Sequence, residues 1–180
     1  GSAMHVALQQ AHDHFRAHGQ PQAEEDILRN FEQLIQQEQL TKEEIEHFTA
    51  KGLESLRAFL AAKYSTFHSN QHAELDFKHQ QSQLNDVRLT GKIDVATIDN
   101  TNKTIDVVDY KTGAPLAQWG KGSAYQKINS HKYRQQLLFY KLLVGQSRDY
   151  RSYDFIGGTL QFIQPSATGE IVALSLDEIQ

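Results

Sequence analysis

Apolar side chains recur at three- and four-residue intervals from Met4 as far as Tyr64, and from Ala73 onward they begin to alternate with polar ones. A period near 3.6 lines one face of a helix, and a period of two lines one face of a strand. This change of period predicts a mixed α+β (α/β) fold, with a helical N-terminal part followed by a central mixed sheet flanked by helices. Met4, Leu8, Ala11 and Phe15 mark a helix over 4–18, which Gly19, Gln20 and Pro21 end. Ile27, Leu28, Phe31, Leu34 and Ile35 mark a second over 23–39. Thr41, followed three residues on by Glu44, reads as a capping box. It opens a third helix that buries Ile45, Phe48, Gly52, Leu56 and Phe59 or Leu60 and ends near Tyr64.

After Ser69 and Asn70, Ala73, Leu75 and Phe77 alternate with Glu74, Asp76 and Lys78 in a first strand. A second strand is expected over 88–98 and a third over 104–111. Asp99, Asn100, Thr101 and Asn102 between them supply turn chemistry, and so short a connection requires an antiparallel hairpin. A loop through Trp119, Gly120, Gly122 and Ser123 leads to a helix over 131–144. Its middle is almost wholly apolar, which predicts a central helix packed on the sheet. Two more strands are expected over 153–163 and 171–176.

At 180 residues the chain falls in the range of one domain, read here as 4–180, with the helical part over 4–64 and the sheet core over 72–180. Gly1, Ser2 and Ala3 read as a cloning scar. There is no cysteine, which excludes disulfides, thiolate zinc sites, iron-sulfur clusters and cysteine nucleophiles. No stretch has the length and apolarity of a membrane span, and the first residues lack the pattern of a secretory signal, so a soluble protein is expected.

The formal charge of −4 conceals an uneven distribution. Residues 1–60 hold 5 Lys/Arg against 10 Asp/Glu, whereas 111–151 hold 8 against 1. A basic segment can track a phosphate backbone. Within and beside it, Trp119, Lys121, Tyr125, Lys127, His131, Lys132 and Arg134 interleave aromatic with cationic groups, the mixture that stacks bases and neutralises phosphates. The alternative is a solvated helix surface, with Trp119 as an anchor for its loop and His131 as a helix-terminal residue.

The chemistry concentrates in 89–113, LTGKIDVATIDNTNKTIDVVDYKTG. Asp109 and Lys111 are two apart on one strand and leave the same face. The hairpin can bring Asp94 opposite them. Two carboxylates and an ammonium suit metal-assisted phosphodiester hydrolysis: hard Mg²⁺ or Mn²⁺ takes oxygen ligands, and the lysine orients water or meets charge in the transition state. Spacing alone equally allows strand-end aspartates paired with Lys92 or Lys111. Asp106 is read as solvated, Asp99 as capping its turn. The four histidines of the first helix, His5, His12, His14 and His18, do not by themselves make a zinc site, although His5 and His12 share a face.

GKID at 91–94, VVDYKTG at 107–113 and QQLLFY at 135–140 resemble, in order, the acidic, DxK and QxxxY-type motifs of RecB-like nucleases of the PD-(D/E)XK superfamily, as found in UvrD-like helicase or AddAB/RecBCD-type proteins. The resemblance runs over most of the chain. It implies a restriction-endonuclease-like core and metal-dependent DNA hydrolysis, exonucleolytic on DNA ends or single strands. It further implies a helicase motor in the same chain or complex, and a role in repair or recombination in the bacterial cytoplasm. It assigns the metal to His5, Asp94, Asp109 and the backbone carbonyl of Tyr110. Catalytic parts go to Asp94, Asp109, Lys111, Glu74, Gln135 and Tyr140, with Gln135 preferred and the Gln136 register open. Lys92 joins the DNA-contacting residues. Relatives often carry Arg after the acidic strand residue where Val95 stands here, and another branch carries an iron-sulfur cluster that a cysteine-free chain cannot hold. The rival readings are a nuclease-like DNA-binding or docking module with weak cleavage, and a stand-alone endonuclease. No GxxxxGK[ST] motif is present, so ATP hydrolysis is expected to reside outside this sequence.

Overall fold

A computed structural model describes residues 2–178. Helices α1 (Ser2–His18), α2 (Glu24–Ile35) and α3 (Lys42–Lys63) come first, followed by strands β1 (Gln71–Asp76), β2 (Gln83–Leu84), β3 (Val87–Arg88), β4 (Lys92–Asp99) and β5 (Thr104–Lys111). Helix α4 (Ala124–Gln146) then precedes β6 (Asp154–Phe162) and β7 (Ala173–Ser175). The architecture is the expected mixed α+β one. No helix among the described residues is long and apolar enough to cross a membrane.

The chain divides into two compact units. The first comprises, among the described residues, 2–69, 110–115 and 162–172. Its core joins Met4, Ala7, Leu8 and Ala11 of α1 to Ile27, Leu28 and Phe31 of α2 and Leu56, Phe59 and Leu60 of α3. Each set follows helical spacing, so burying one face of each helix suffices to hold the three together. α3 starts as its sequence requires: the Thr41 hydroxyl accepts from the Glu44 N–H, and the Glu44 carboxylate accepts from the Thr41 N–H. α2 stops earlier than expected, at Ile35, because Gln36, Gln37, Glu38 and Gln39 bring no apolar side chain to dock and the chain tightens into turns. Phe48 also departs from expectation. It is 43% exposed and borders a pocket of about 330 Å³, with Phe31, Ile35, Gly52 and Met4 as apolar walls.

The second unit comprises, among the described residues, 70–109, 116–161 and 173–178. The sheet order is β1-β4-β5-β6-β7. β1 and β5 both run antiparallel to β4. β6 runs parallel to β5, since Asp154 N–H donates to Lys103 O before the one strand and Ile163 N–H to Lys111 O at its end. Connecting parallel neighbours requires a crossover, which α4 supplies. α4 begins at Ala124, seven residues before the expected 131, because Ser123 and Gln126 form a capping box of their own. His131 therefore lies inside the helix and caps nothing. The helix is also less buried than its composition suggests. Leu137, Tyr140, Leu143 and Val144 face inward, while Leu138 is 45% and Phe139 36% exposed. The expected strand 88–98 is interrupted: residues 83–88 fold into the β2–β3 hairpin and β4 starts only at Lys92.

Candidate active site

β5 has Ile105, Val107 and Asp109 buried, with Asp106 and Val108 half-buried between them. Ile105 and Val107 precede Asp109 on its face of the strand, and Asp109 is 1% exposed. Val95 pairs with Val108 and Ala96 with Val107. Carried one pair further, that register sets Asp94 opposite Asp109. On the other side of β4, Ala73 pairs with Val95 and Leu75 with Ile93, which puts Glu74 at the level of Asp94. Three acidic residues therefore occupy one row across three adjacent strands. Glu74 has a left-handed backbone, φ 50°, that interrupts the regular pleat, and its carboxylate lies 3.5 Å from the Lys92 ammonium.

α4 closes over Asp109. Tyr140 Oη donates to Asp109 Oδ1 at 2.7 Å. Gln136 Nε2 donates to the same oxygen at 2.8 Å and to Tyr140 Oη at 2.8 Å. Gln136, not Gln135, is thus the glutamine at the site, and Gln135 is exposed. Residues four apart share a helix face, whereas five apart are turned well away from each other. Burial, then the Asp109 charge and hydrogen bond, then the charge of Asp94, raise the Tyr140 pKa, against which the Gln136 bond works. The phenol accordingly stays a donor, and both carboxylates lie close enough to act on it.

The same helix face brings Tyr133, seven residues before Tyr140. Its pKa is raised by burial, then by Tyr125 and Asp109. Tyr133 lies in the basic segment of the sequence, and its i, i+7 relation to Tyr140 is the signal that places it on this helix face. Asp106, read from sequence as solvated, is half-buried, and burial raises its pKa, a backbone hydrogen bond from Val107 opposing.

A family model of the PD-(D/E)XK nuclease superfamily matches residues 1–174. The chain belongs to that superfamily. Asp109, Tyr110 and Lys111 spell its D-X-K, and Asp94 stands as the preceding aspartate, with Ile93 where the family name has proline. Comparison with curated proteins gives no match.

In the first unit of this PD-(D/E)XK chain, two histidines of α1 meet Tyr110. His5 Nε2 lies 2.9 Å from the Tyr110 carbonyl oxygen, and His12 Nε2 lies 2.9 Å from its hydroxyl. Seven residues apart, they share one helix face. His12 is buried and stacked on Phe67 with ring centroids 3.9 Å apart, and Phe59 meets the Tyr110 ring edge-on at 5.6 Å. Packing on both sides explains why the residue between Asp109 and Lys111 is aromatic.

Oxygen donors of the kind that a hard divalent cation takes stand on β4 and β5. Two carboxylates face each other across β4 and β5, and a backbone carbonyl follows Asp109 directly. Among the described residues no group of three or more His, Asp or Glu side chains converges on one point to hold a metal ion. The Tyr110 main-chain carbonyl is a donor in addition to those side chains.

Of the basic segment, Lys121, Lys127, His131, Lys132 and Arg134 are exposed, as is Lys92, and Tyr125 is 73% exposed. Trp119 is half-buried, and its Nε1 donates to the Ser175 carbonyl at 2.7 Å, which anchors the loop to β7.

Proposed function

We propose that this protein hydrolyses DNA phosphodiester bonds with Mg²⁺ or Mn²⁺ held by Asp94, Asp109, the Tyr110 carbonyl and His5. We further propose that it acts as a RecB-like exonuclease on DNA ends or single strands delivered by a helicase motor during repair or recombination. The observation that carries the reading is the clamp of Gln136 and Tyr140 on Asp109. A buried carboxylate with two donors fixed on one oxygen has lost its rotational freedom, as a metal ligand's outer contacts require.

When bound, the cation supplies Lewis acidity, lowering the pKa of water and drawing charge from a phosphate oxygen. The side chains do the rest. Gln136 spends both amide hydrogens, one on Asp109 and one on Tyr140, so neither partner turns without breaking a bond. Lys111, two residues beyond Asp109 on β5, presents a point charge to the phosphoryl oxygens or orients the attacking water. Glu74 acts through Lys92, which it holds beside the row of carboxylates. Lys121, Lys127, His131, Lys132 and Arg134 neutralise the backbone and Tyr125 stacks on bases, an arrangement that reads phosphate, not sequence. The helicase association and a bacterial cytoplasmic setting rest on the likeness of GKID, DYKTG and QQLLFY to the RecB-like motifs.

Cleavage of end-labelled single- and double-stranded DNA in Mn²⁺, Mg²⁺ or EDTA tests the reading. Metal-dependent release of short products from the labelled end is the expected result, and an internal ladder would reassign it as an endonuclease. DNA binding without cleavage in any metal, with the helicase portion supplied, would make it a binding or docking module.

A further inference from the structure

The strand that carries Asp94 begins in a basic cleft. Lys78, Arg88, Thr90, Gly91 and Lys92 line it together with Asp76, around a volume of about 380 Å³. Lys92 stands two residues before Asp94 on β4, on the same face and about 7 Å away along the strand. It pairs across the ladder with Asp76 and carries the Glu74 carboxylate at 3.5 Å. Lys78 and Arg88 add two further positive charges from the turn after β1 and from the β2–β3 hairpin.

The cleft is held in shape by its own chain. Arg88 Nη2 donates to the Lys78 carbonyl, which ties the two cationic residues to each other. Lys78 N–H donates to the Asp76 carboxylate at 2.7 Å, so the acidic rim is engaged by the backbone. Gln80 fastens the turn to the end of α4. Its Nε2 donates to Asp149 Oδ2 at 2.9 Å, its Oε1 accepts from Asp149 N–H at 3.2 Å, and its carbonyl accepts from Arg148 N–H at 2.8 Å. Gly91 brings no side chain into the cleft, and a Cβ there would come within 2.8 Å of a Leu143 methyl group. Preorganised cations lower the ordering cost of binding an anion, and a guanidinium with donors to spare suits phosphate.

We infer that this cleft binds a backbone phosphate of the nucleic-acid strand next to the one being cut, with Lys78 and Arg88 as its ligands. The inference rests on the phosphodiesterase reading above and deepens it: the strand runs along β4, from Asp94 toward the β2–β3 hairpin. A strand too short to span that distance never reaches the cleft, so the cleft makes the protein prefer longer strands.

The test compares the wild type with the Lys78→Gln/Arg88→Gln double variant, Arg88→Gln and Arg88→Lys, each checked for folding by circular dichroism. Fluorescence anisotropy of single-stranded oligonucleotides of graded length, in EDTA over a salt series, measures binding without turnover. For the double variant, affinity for long strands falls about tenfold and the salt slope becomes shallower by about 0.7 for each phosphate no longer neutralised. The loss is smaller for the shortest strands, and Arg88→Lys keeps most of the affinity. An unchanged affinity and slope, or a loss equal at every length, overturns the inference. So does an Arg88→Lys variant as weak as Arg88→Gln, because the hairpin contact and not the charge would then matter. A parallel cleavage assay keeps the two ideas apart: absence of metal-dependent cutting by the wild type counts against the phosphodiesterase, while the binding series still decides the cleft.

Discussion

The Tyr140 hydroxyl and the Asp109 carboxylate meet at 2.7 Å, both buried, with Gln136 bridging them from one helical turn before Tyr140. A phenol whose pKa is raised by burial and by the charge it touches remains protonated across the working range of most enzymes. Asp109 therefore keeps one oxygen occupied by two donors and its orientation fixed.

Removing either donor loosens the carboxylate without removing its charge. Gln136→Ala and Tyr140→Phe are each expected to weaken metal affinity or cleavage about 10–100-fold. Gln135→Ala, at an exposed position, stays within about twofold. Cleavage rates measured across a Mn²⁺ titration check the ranking, and equal effects at 135 and 136 would contradict the assigned register.

Two facing carboxylates repel in the absence of a cation. Asp109→Asn keeps the acceptor for Tyr140 and Gln136 but removes the buried charge, so in EDTA its Tm should exceed that of the wild type. Mn²⁺ should raise the wild-type Tm, by about 2.7 kcal/mol of stability at a hundredfold excess over Kd, and leave the variant unmoved. Thermal melts with and without Mn²⁺ decide both points.

Asp106 predicts a pH dependence of opposite origin. Its folded pKa lies above the ordinary 3.8, chiefly through burial. A raised carboxyl pKa means that folding favours the protonated form: the stabilisation is fully present below 3.8 and is lost as pH rises through the folded value. Asp106→Asn is therefore expected to be more stable than the wild type at pH 7, with the gap closing as pH falls toward 4. Urea melts at several pH values measure it, and a gap that widens in acid would contradict the sign.

Gly52 of α3 lies against Phe31 of α2. A Cβ at Gly52 would meet the Phe31 ring at 2.2 Å. Alanine gains about 1 kcal/mol of helix propensity, but crowding a packed core costs about 1–3 kcal/mol. Phe31 is 3% exposed and hemmed in, so the cost dominates and Gly52→Ala should lower stability. The fall should shrink in a Phe31→Leu background, read by chemical denaturation.

Much of this was legible because it is written in local period and turn chemistry. The row of Asp94 and Asp109 follows from alternation on two strands and the Asp99–Asn102 turn, where the Asp99 carboxylate accepts from the N–H groups of Thr101 and Asn102 at 2.8 and 2.9 Å. The Thr41 cap follows from three residues' spacing. The choice between Gln135 and Gln136 was legible too, since only a spacing of four keeps both side chains on one helix face, but it needed the position of Tyr140 to be taken as fixed. Ser123 and Gln126 carry the same capping signature as Thr41 and Glu44; the preceding Gly120 and Gly122 masked it as loop. The β2–β3 hairpin was not legible, because two-residue strands have no period to read. Nor was the contact of the Tyr110 hydroxyl with His12, which comes from almost a hundred residues away along the chain.

The central claim is that Asp109 and Lys111 lie at a phosphodiesterase centre. Cleavage of end-labelled DNA in Mn²⁺ by the wild type, Asp109→Ala and Lys111→Ala, each shown to be folded, tests it most directly. The account predicts metal-dependent cutting by the wild type that is lost in both variants. Cutting that survives Asp109→Ala would contradict it.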